Sequence, residues 1–141
     1  MNKEWIRKTV SDNISAIYEL KNPEPMTVEK MVDEKFSQCP TLQFPGFMEM
    51  HPLFGCNQGI FLIKEHFKTF FDTLEVLNLD KQYIIIDGFE ASAHYHMKVK
   101  FKKSGSIFDF ELIFLMDVDW DGRVRDIKLY FDTASFLKAD K

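Results

Sequence analysis

Cysteine is nearly missing from this chain: Cys39 and Cys56 are the only two among 141 residues. They form no C-x-x-C pair, so a disulfide framework or a zinc site is not the expectation, and a reduced pair in a cytosolic protein is. Long apolar runs are missing as well. The longest, Leu112-Ile113-Phe114-Leu115-Met116, is far too short for a bilayer, and Met1-Asn2-Lys3-Glu4-Trp5 has no apolar signal core. No stripe of one charge exists; Lys and Arg are scattered among acids and the net charge is −4. This speaks against nucleic acid and anionic membrane as partners and predicts a cytoplasmic protein. Phosphate-binding glycine loops and nucleophile elbows are absent too, and Asp117, Asp119 and Asp121 lack the glycine and terminal Glu of a calcium loop. No metal and no cofactor is predicted.

What the chain has in excess is phenylalanine, 15 residues. Large rings leave irregular gaps between them, so this interior suits a domain with a cavity, although a solid aromatic core fits the same count. The length fits one domain spanning residues 1–141. Ile6, Val10, Ile14 and Ile17 mark one face of a helix over about residues 2–21, which Pro23 and Pro25 end. Thr27 is the predicted N-cap of a second helix, with Val28, Met31, Val32 and Phe36 inward. Residues 41–44 read as a brief extended segment and 45–58 as a loop. Asn57 or Gly59 then opens a third helix, with Ile60, Ile63, Phe67, Phe70, Phe71 and Leu74 as its stripe.

From there the period becomes 2. Residues 75–79 and 82–86 read as two short strands. Phe89, Ala91, Ala93, Tyr95, Met97, Val99 and Phe101 alternate with polar residues along a long strand. Phe108, Phe110, Leu112, Phe114, Met116 and Val118 form the inner face of its partner, and residues 123–132 form the last strand. Val124 and Ile127 cannot both face inward in a regular strand, which predicts a bulge or a switch of faces and leaves the direction of Tyr130 and Asp132 open. Helices followed by an antiparallel meander predict an α+β fold: three helices on a strongly curved, mainly antiparallel sheet.

Three stretches carry a resemblance: the second helix leading to Thr41-Leu42-Gln43-Phe44-Pro45; Gly59-Ile60-Phe61 through Phe70-Phe71; and Asp121-Gly122-Arg123-Val124 to Tyr130-Phe131-Asp132. In this order they resemble the nuclear-transport-factor-2-like superfamily and its SnoaL-like branch, which holds ketosteroid isomerases and polyketide cyclases. The resemblance implies a cone-shaped fold, a deep apolar pocket and a homodimer through the sheet. A ketosteroid isomerase carries a carboxylate base just before the proline after the second helix, where this chain has Phe44. The carboxylate–Arg arrangement of limonene-epoxide hydrolase has no counterpart either. The cyclases' acid–base Asp matches the region of Asp132, which could also cap residues 133–137.

The resulting expectation is a pocket for a small, mainly apolar molecule, with cofactor-free isomerisation, dehydration or cyclisation by proton transfer as its chemistry if it is an enzyme. The rival is a non-catalytic binding or dimerisation module. Asp132, Tyr95, Tyr18 and His51 are the candidate acid–base or hydroxyl groups. Phe44, Phe47, Phe67, Phe71, Ala91, Ala93, Phe110, Phe114, Met116 and Tyr130 are the candidate pocket lining. Met48 and Met50 could form an adaptable lid. His94 and His96 share a polar strand face and are expected in solvent or at an interface, and His66 is expected at the surface. Two ionisable groups converging in the cavity would mark an enzyme; one or none would mark a binder.

Overall fold

The computed structural model describes residues 2–141. Helix α1 (Lys3–Tyr18) starts where Asn2 accepts a hydrogen bond from the Glu4 amide, and its Ile6, Val10, Ile14 and Ile17 stripe is fully buried. Helix α2 (Pro25–Lys35) begins with Pro25 at its first turn, where the missing amide hydrogen costs nothing; Glu24, not Thr27, holds the N-cap position. Phe36 is buried as expected, but it opens strand β1 (Phe36–Phe44) instead of closing α2.

Residues 45–54 form a loop, and the predicted loop is cut short by strand β2 (Gly55–Gln58), which pairs antiparallel with β1. Gly59 caps α3 (Ile60–Thr73) with φ 91°, a value an L side chain rarely adopts. The two short strands expected next are one strand, β3 (Leu74–Asp87), broken by register shifts between Val76 and Asn78 and between Lys81 and Tyr83. These two irregularities account for the gap in the sequence pattern.

Strands β4 (Glu90–Phe101), β5 (Ile107–Val118) and β6 (Val124–Tyr130) complete one six-stranded sheet in the order β2-β1-β6-β5-β4-β3. All pairs are antiparallel except β1 with β6. Asp117 pairs with Asp126 and Val118 with Val124, so Arg125 is the extra residue that lets Val124, Ile127 and Leu129 all face inward. A fourth helix, α4 (Thr133–Ala139), follows β6 and is one more than the sequence predicts. No helix among the described residues is long and apolar enough to cross a membrane.

The helices cover the inner face of the curved sheet. Asn13, buried on α1, donates to the Gly122 carbonyl at 2.9 Å, and Trp5 and Thr9 press against the same glycine. This pins α1 to the β5–β6 turn. The core is one cluster, from Ile6 on α1 to Phe136 on α4.

Candidate functional site

Six of the ten expected pocket residues are core packing. Phe44, Phe67, Ala91, Ala93, Phe114 and Met116 are fully buried. Ala91 and Ala93 leave room, and the neighbouring rings take it. Tyr18 sits against Phe67, Phe70 and Phe114 at centroid distances of 5.8, 5.6 and 5.1 Å. Phe110 stacks on Phe108 at 4.5 Å and is half-buried. Two of the ten stand in solvent, Tyr130 in the lining of a groove on the outer sheet face with Tyr83, His94 and Ile113. Phe47 is 72% exposed, because the loop turns inward only through His51, Leu53 and Phe54. Tyr130 is 46% exposed on the outer face, because the bulge at Arg125 restores the alternation that puts Leu129 inside. Met48 and Met50 also stand in solvent.

An open cavity lies beside this packed interior. It holds about 500 Å³ between the end of α1, the end of α3 and the start of β3. Tyr18, Leu20, Phe71, Leu74 and Val76 are its apolar wall; Glu19, Glu75, Asn78 and Lys102 are polar groups around it. Its volume is in the range of small-molecule sites. Tyr18 and Phe71 are the expected residues that reach it. The rest of the wall comes from the ends of elements, where sequence periodicity gives no direction.

Tyr18 is 1% exposed, and its hydroxyl has no hydrogen-bond partner among the described residues. Burial pushes the phenol well above its ordinary value, so it stays a protonated donor at any physiological pH. Lys102 spans the polar side and donates from Nζ to the Phe71 carbonyl, one of the unpaired carbonyls at the end of α3.

The other candidates lie elsewhere. Asp132 is exposed; its carboxylate accepts from the Ser135 hydroxyl at 2.7 Å and amide at 3.1 Å, caps α4, and is held below the usual carboxylate range by those bonds. A solvated cap with a lowered pKa is not the carboxylate of an apolar pocket. Tyr95 is buried, with its hydroxyl 3.4 Å from Ser11 Oγ and its pKa raised by desolvation. His51 is buried with both ring nitrogens engaged: Nδ1 accepts from the Leu53 amide at 3.1 Å and Nε2 lies 2.8 Å from Asp140. His94 stacks on Tyr83 at 4.2 Å and contacts Ser92; His96 meets Asp109 at 2.8 Å.

His66 was not singled out by the sequence, which placed it at the surface. It is 6% exposed against Phe44, Phe67 and Phe70, and its Nε2 has no partner among the described residues. Burial lowers its pKa to about 3, so it is neutral. Only the helical offset of one residue from Phe67, a position on the edge of the buried stripe, hinted at this. Tyr18 and His66 both border Phe67 and Phe70, but His66 is not part of the wall of the Tyr18 cavity. Of the four ionisable residues that line the cavity, Tyr18 is buried and Glu19, Glu75 and Lys102 are exposed.

No family model and no curated protein matches this chain. Solved structures do. An NTF2-like protein from Burkholderia xenovorans aligns over 100% of this chain and 99% of its own, at 16% identity and TM-score 0.78. An NTF2-like protein of unknown function from Burkholderia pseudomallei aligns over 96% and 97%, at 15% identity and TM-score 0.79. TerC, crystallised with polyporic acid, aligns over 96% and 97%, at 15% identity and TM-score 0.77. Such identities establish architecture and leave the activity to the site itself. The four helices and the curved six-stranded sheet of the described residues have the nuclear-transport-factor-2-like fold.

Proposed function

We propose that the chain binds a small, mainly apolar molecule in the Tyr18 cavity, with the Tyr18 hydroxyl donating a hydrogen bond to an oxygen of the ligand. The observation that carries this reading is a fully buried phenol, kept protonated and without a hydrogen-bond partner among the described residues, in a residue that lines a cavity of about 500 Å³. An unpaired buried hydroxyl costs about 1–3 kcal/mol, and an acceptor on a ligand recovers that. Leu20, Phe71, Leu74 and Val76 would cover the apolar body. TerC, which shares the fold, was crystallised with polyporic acid.

Glu19, Glu75 and Lys102 ring the cavity in solvent and Tyr18 alone is buried, so the part of the site screened from water offers a hydrogen-bond donor and no buried base, which supports binding. The test is a calorimetric titration with 2-decalone, an apolar two-ring ketone, against the native protein and Tyr18→Phe. Saturable binding that weakens roughly fivefold in the variant supports the reading, since a lost neutral hydrogen bond is worth about 1 kcal/mol. Equal affinity for both proteins rejects the role of Tyr18.

A second copy of the chain is the proposed macromolecular partner. Tyr83, Ile85 and Tyr130 are exposed on the outer sheet face beside half-buried Ile113 and Leu115. Tyr83, His94, Ile113 and Tyr130 are register partners in one row across four strands. A contiguous apolar patch on a sheet face marks an interaction surface.

A further inference from the structure

The Tyr18 cavity does not end at Lys102. A second hollow of about 510 Å³ shares Pro23, Phe71 and Lys102 with it and extends to Glu24, before the start of α2, and to Asp72, near the end of α3. The two form one groove with a charged border. Glu19, Glu24, Asp72 and Glu75 stand along that border with two lysines, Lys68 and Lys102.

Both lysines are already engaged. Lys68 is bonded to Glu29 at 2.7 Å and lies 3.4 Å from Glu65, two carboxylates outside the groove lining. Lys102 donates to the Phe71 carbonyl at the end of α3, where the helix dipole adds partial negative charge. Glu19, Glu24, Asp72 and Glu75 are exposed, and none is in an ion pair among the described residues, although Lys100 is the register partner of Glu75 across β3 and β4. The border is therefore anionic. Carboxylates at a rim do not by themselves make a site. Here they surround an apolar wall and a second, independent feature: Tyr18, 1% exposed, with no hydrogen-bond partner for its hydroxyl among the described residues. A ligand seated on that wall leaves one end toward the border, and the charge there selects the end group. An ammonium is attracted by the carboxylates; a ligand carboxylate meets them as like charge.

We propose, on the reading that Tyr18 binds an oxygen of the ligand, that the ligand is an organic cation: an apolar ring body with an oxygen acceptor at one end and a protonated amine at the other. The amine is held at the mouth by Glu19 and Glu75. These carboxylates are exposed, so the effect is a preference of several-fold that fades with salt.

Three probes on one skeleton test this with the full chain: 2-decalone, the cation 6-dimethylamino-2-decalone and the anion 6-carboxy-2-decalone. Binding is read by calorimetry at low salt and mapped by amide chemical shifts at Leu20, Leu74 and Val76. The cation should bind about fivefold more tightly than 2-decalone and the anion about fivefold more weakly. Both differences should shrink in about 1 M salt, where charges are screened beyond about 3 Å. Glu19→Gln combined with Glu75→Gln should remove the cation's advantage. Glu49→Gln combined with Glu90→Gln, the same change of net charge at exposed acids away from the groove, should keep it. Equal affinity for all three probes, tighter binding of the anion, or loss of the advantage in both double variants overturns the inference. If 2-decalone binds and the cation does no better, the charge selection alone falls. If the cation is preferred and Tyr18→Phe changes nothing, the hydrogen bond from Tyr18 falls and the charge selection stands. Absence of binding by all three removes both.

Discussion

Tyr18 and His66 are two buried polar side chains with unpartnered atoms in an otherwise apolar aromatic cluster, and their stability effects should differ in sign from those of their neighbours. Tyr18→Phe removes a hydroxyl that makes no bond among the described residues and keeps the ring that packs on Phe67 and Phe70. It should leave the unfolding free energy unchanged or raise it by up to about 1 kcal/mol, as chemical denaturation would show, while weakening ligand binding. A loss of stability would mean that the hydroxyl has a partner. For His66 the folded pKa, about 3, lies below the ordinary 6.5, so protons bind the unfolded chain better. Its contribution is whole above pH 6.5 and is lost as pH falls toward 3, by on the order of several kcal/mol. His66→Leu should flatten the stability profile in that window. An unchanged profile would show that the imidazole is solvated in the fold. Neither effect was legible in the sequence, because one residue's shift around α3 separates a surface His from a buried one. Asp132 shows the converse: its match to the end of the last strand was readable, but whether it capped a helix or entered a pocket depended on where β6 stopped.

Strand and helix identities were the readable part, since the inward stripes of α1, α3, β4 and β5 follow their periods closely. What escaped was short or irregular. Strand β2 has four residues, and its burial alternates without an apolar signal. In β3 two register shifts break the period, and in α4 a single Phe136 carries all the burial. Parity alone required a bulge or a switch of faces between Val124 and Ile127, and Arg125 makes it a bulge. The loop 45–54 yields a prediction of its own. Gly46 has φ 88°, and a Cβ there would lie 2.6 Å from the Phe54 ring, whereas Gly88 has φ 62° in open space. Gly46→Ala should cost about 2–4 kcal/mol and Gly88→Ala only about 1, both read from thermal unfolding. Equal costs would mean that Phe54 can move aside freely.

As a whole, the molecule is a cone whose interior is packed with its own rings, and the cavity that Tyr18 lines lies at the ends of α1 and α3. Its Phe-rich composition was compatible with either a hollow or a solid core, and the choice depended on the angle at which Tyr18, Phe67, Phe70 and Phe114 meet. The outer sheet face makes a separate prediction. If Ile85 and Ile113 lie in a sheet-to-sheet contact, Ile85→Lys or Ile113→Lys should convert a dimer to a monomer in sedimentation equilibrium without lowering the melting point of the protomer; a native protein that sediments as a monomer would remove that partner. The ligand reading is tested most directly by amide and side-chain chemical shifts during a titration with 2-decalone. Saturable shifts at Tyr18, Leu20, Phe71, Leu74 and Val76, weakened about fivefold by Tyr18→Phe, are the predicted result. No saturable shift at these residues, or shifts indifferent to the Tyr18 hydroxyl, would contradict it.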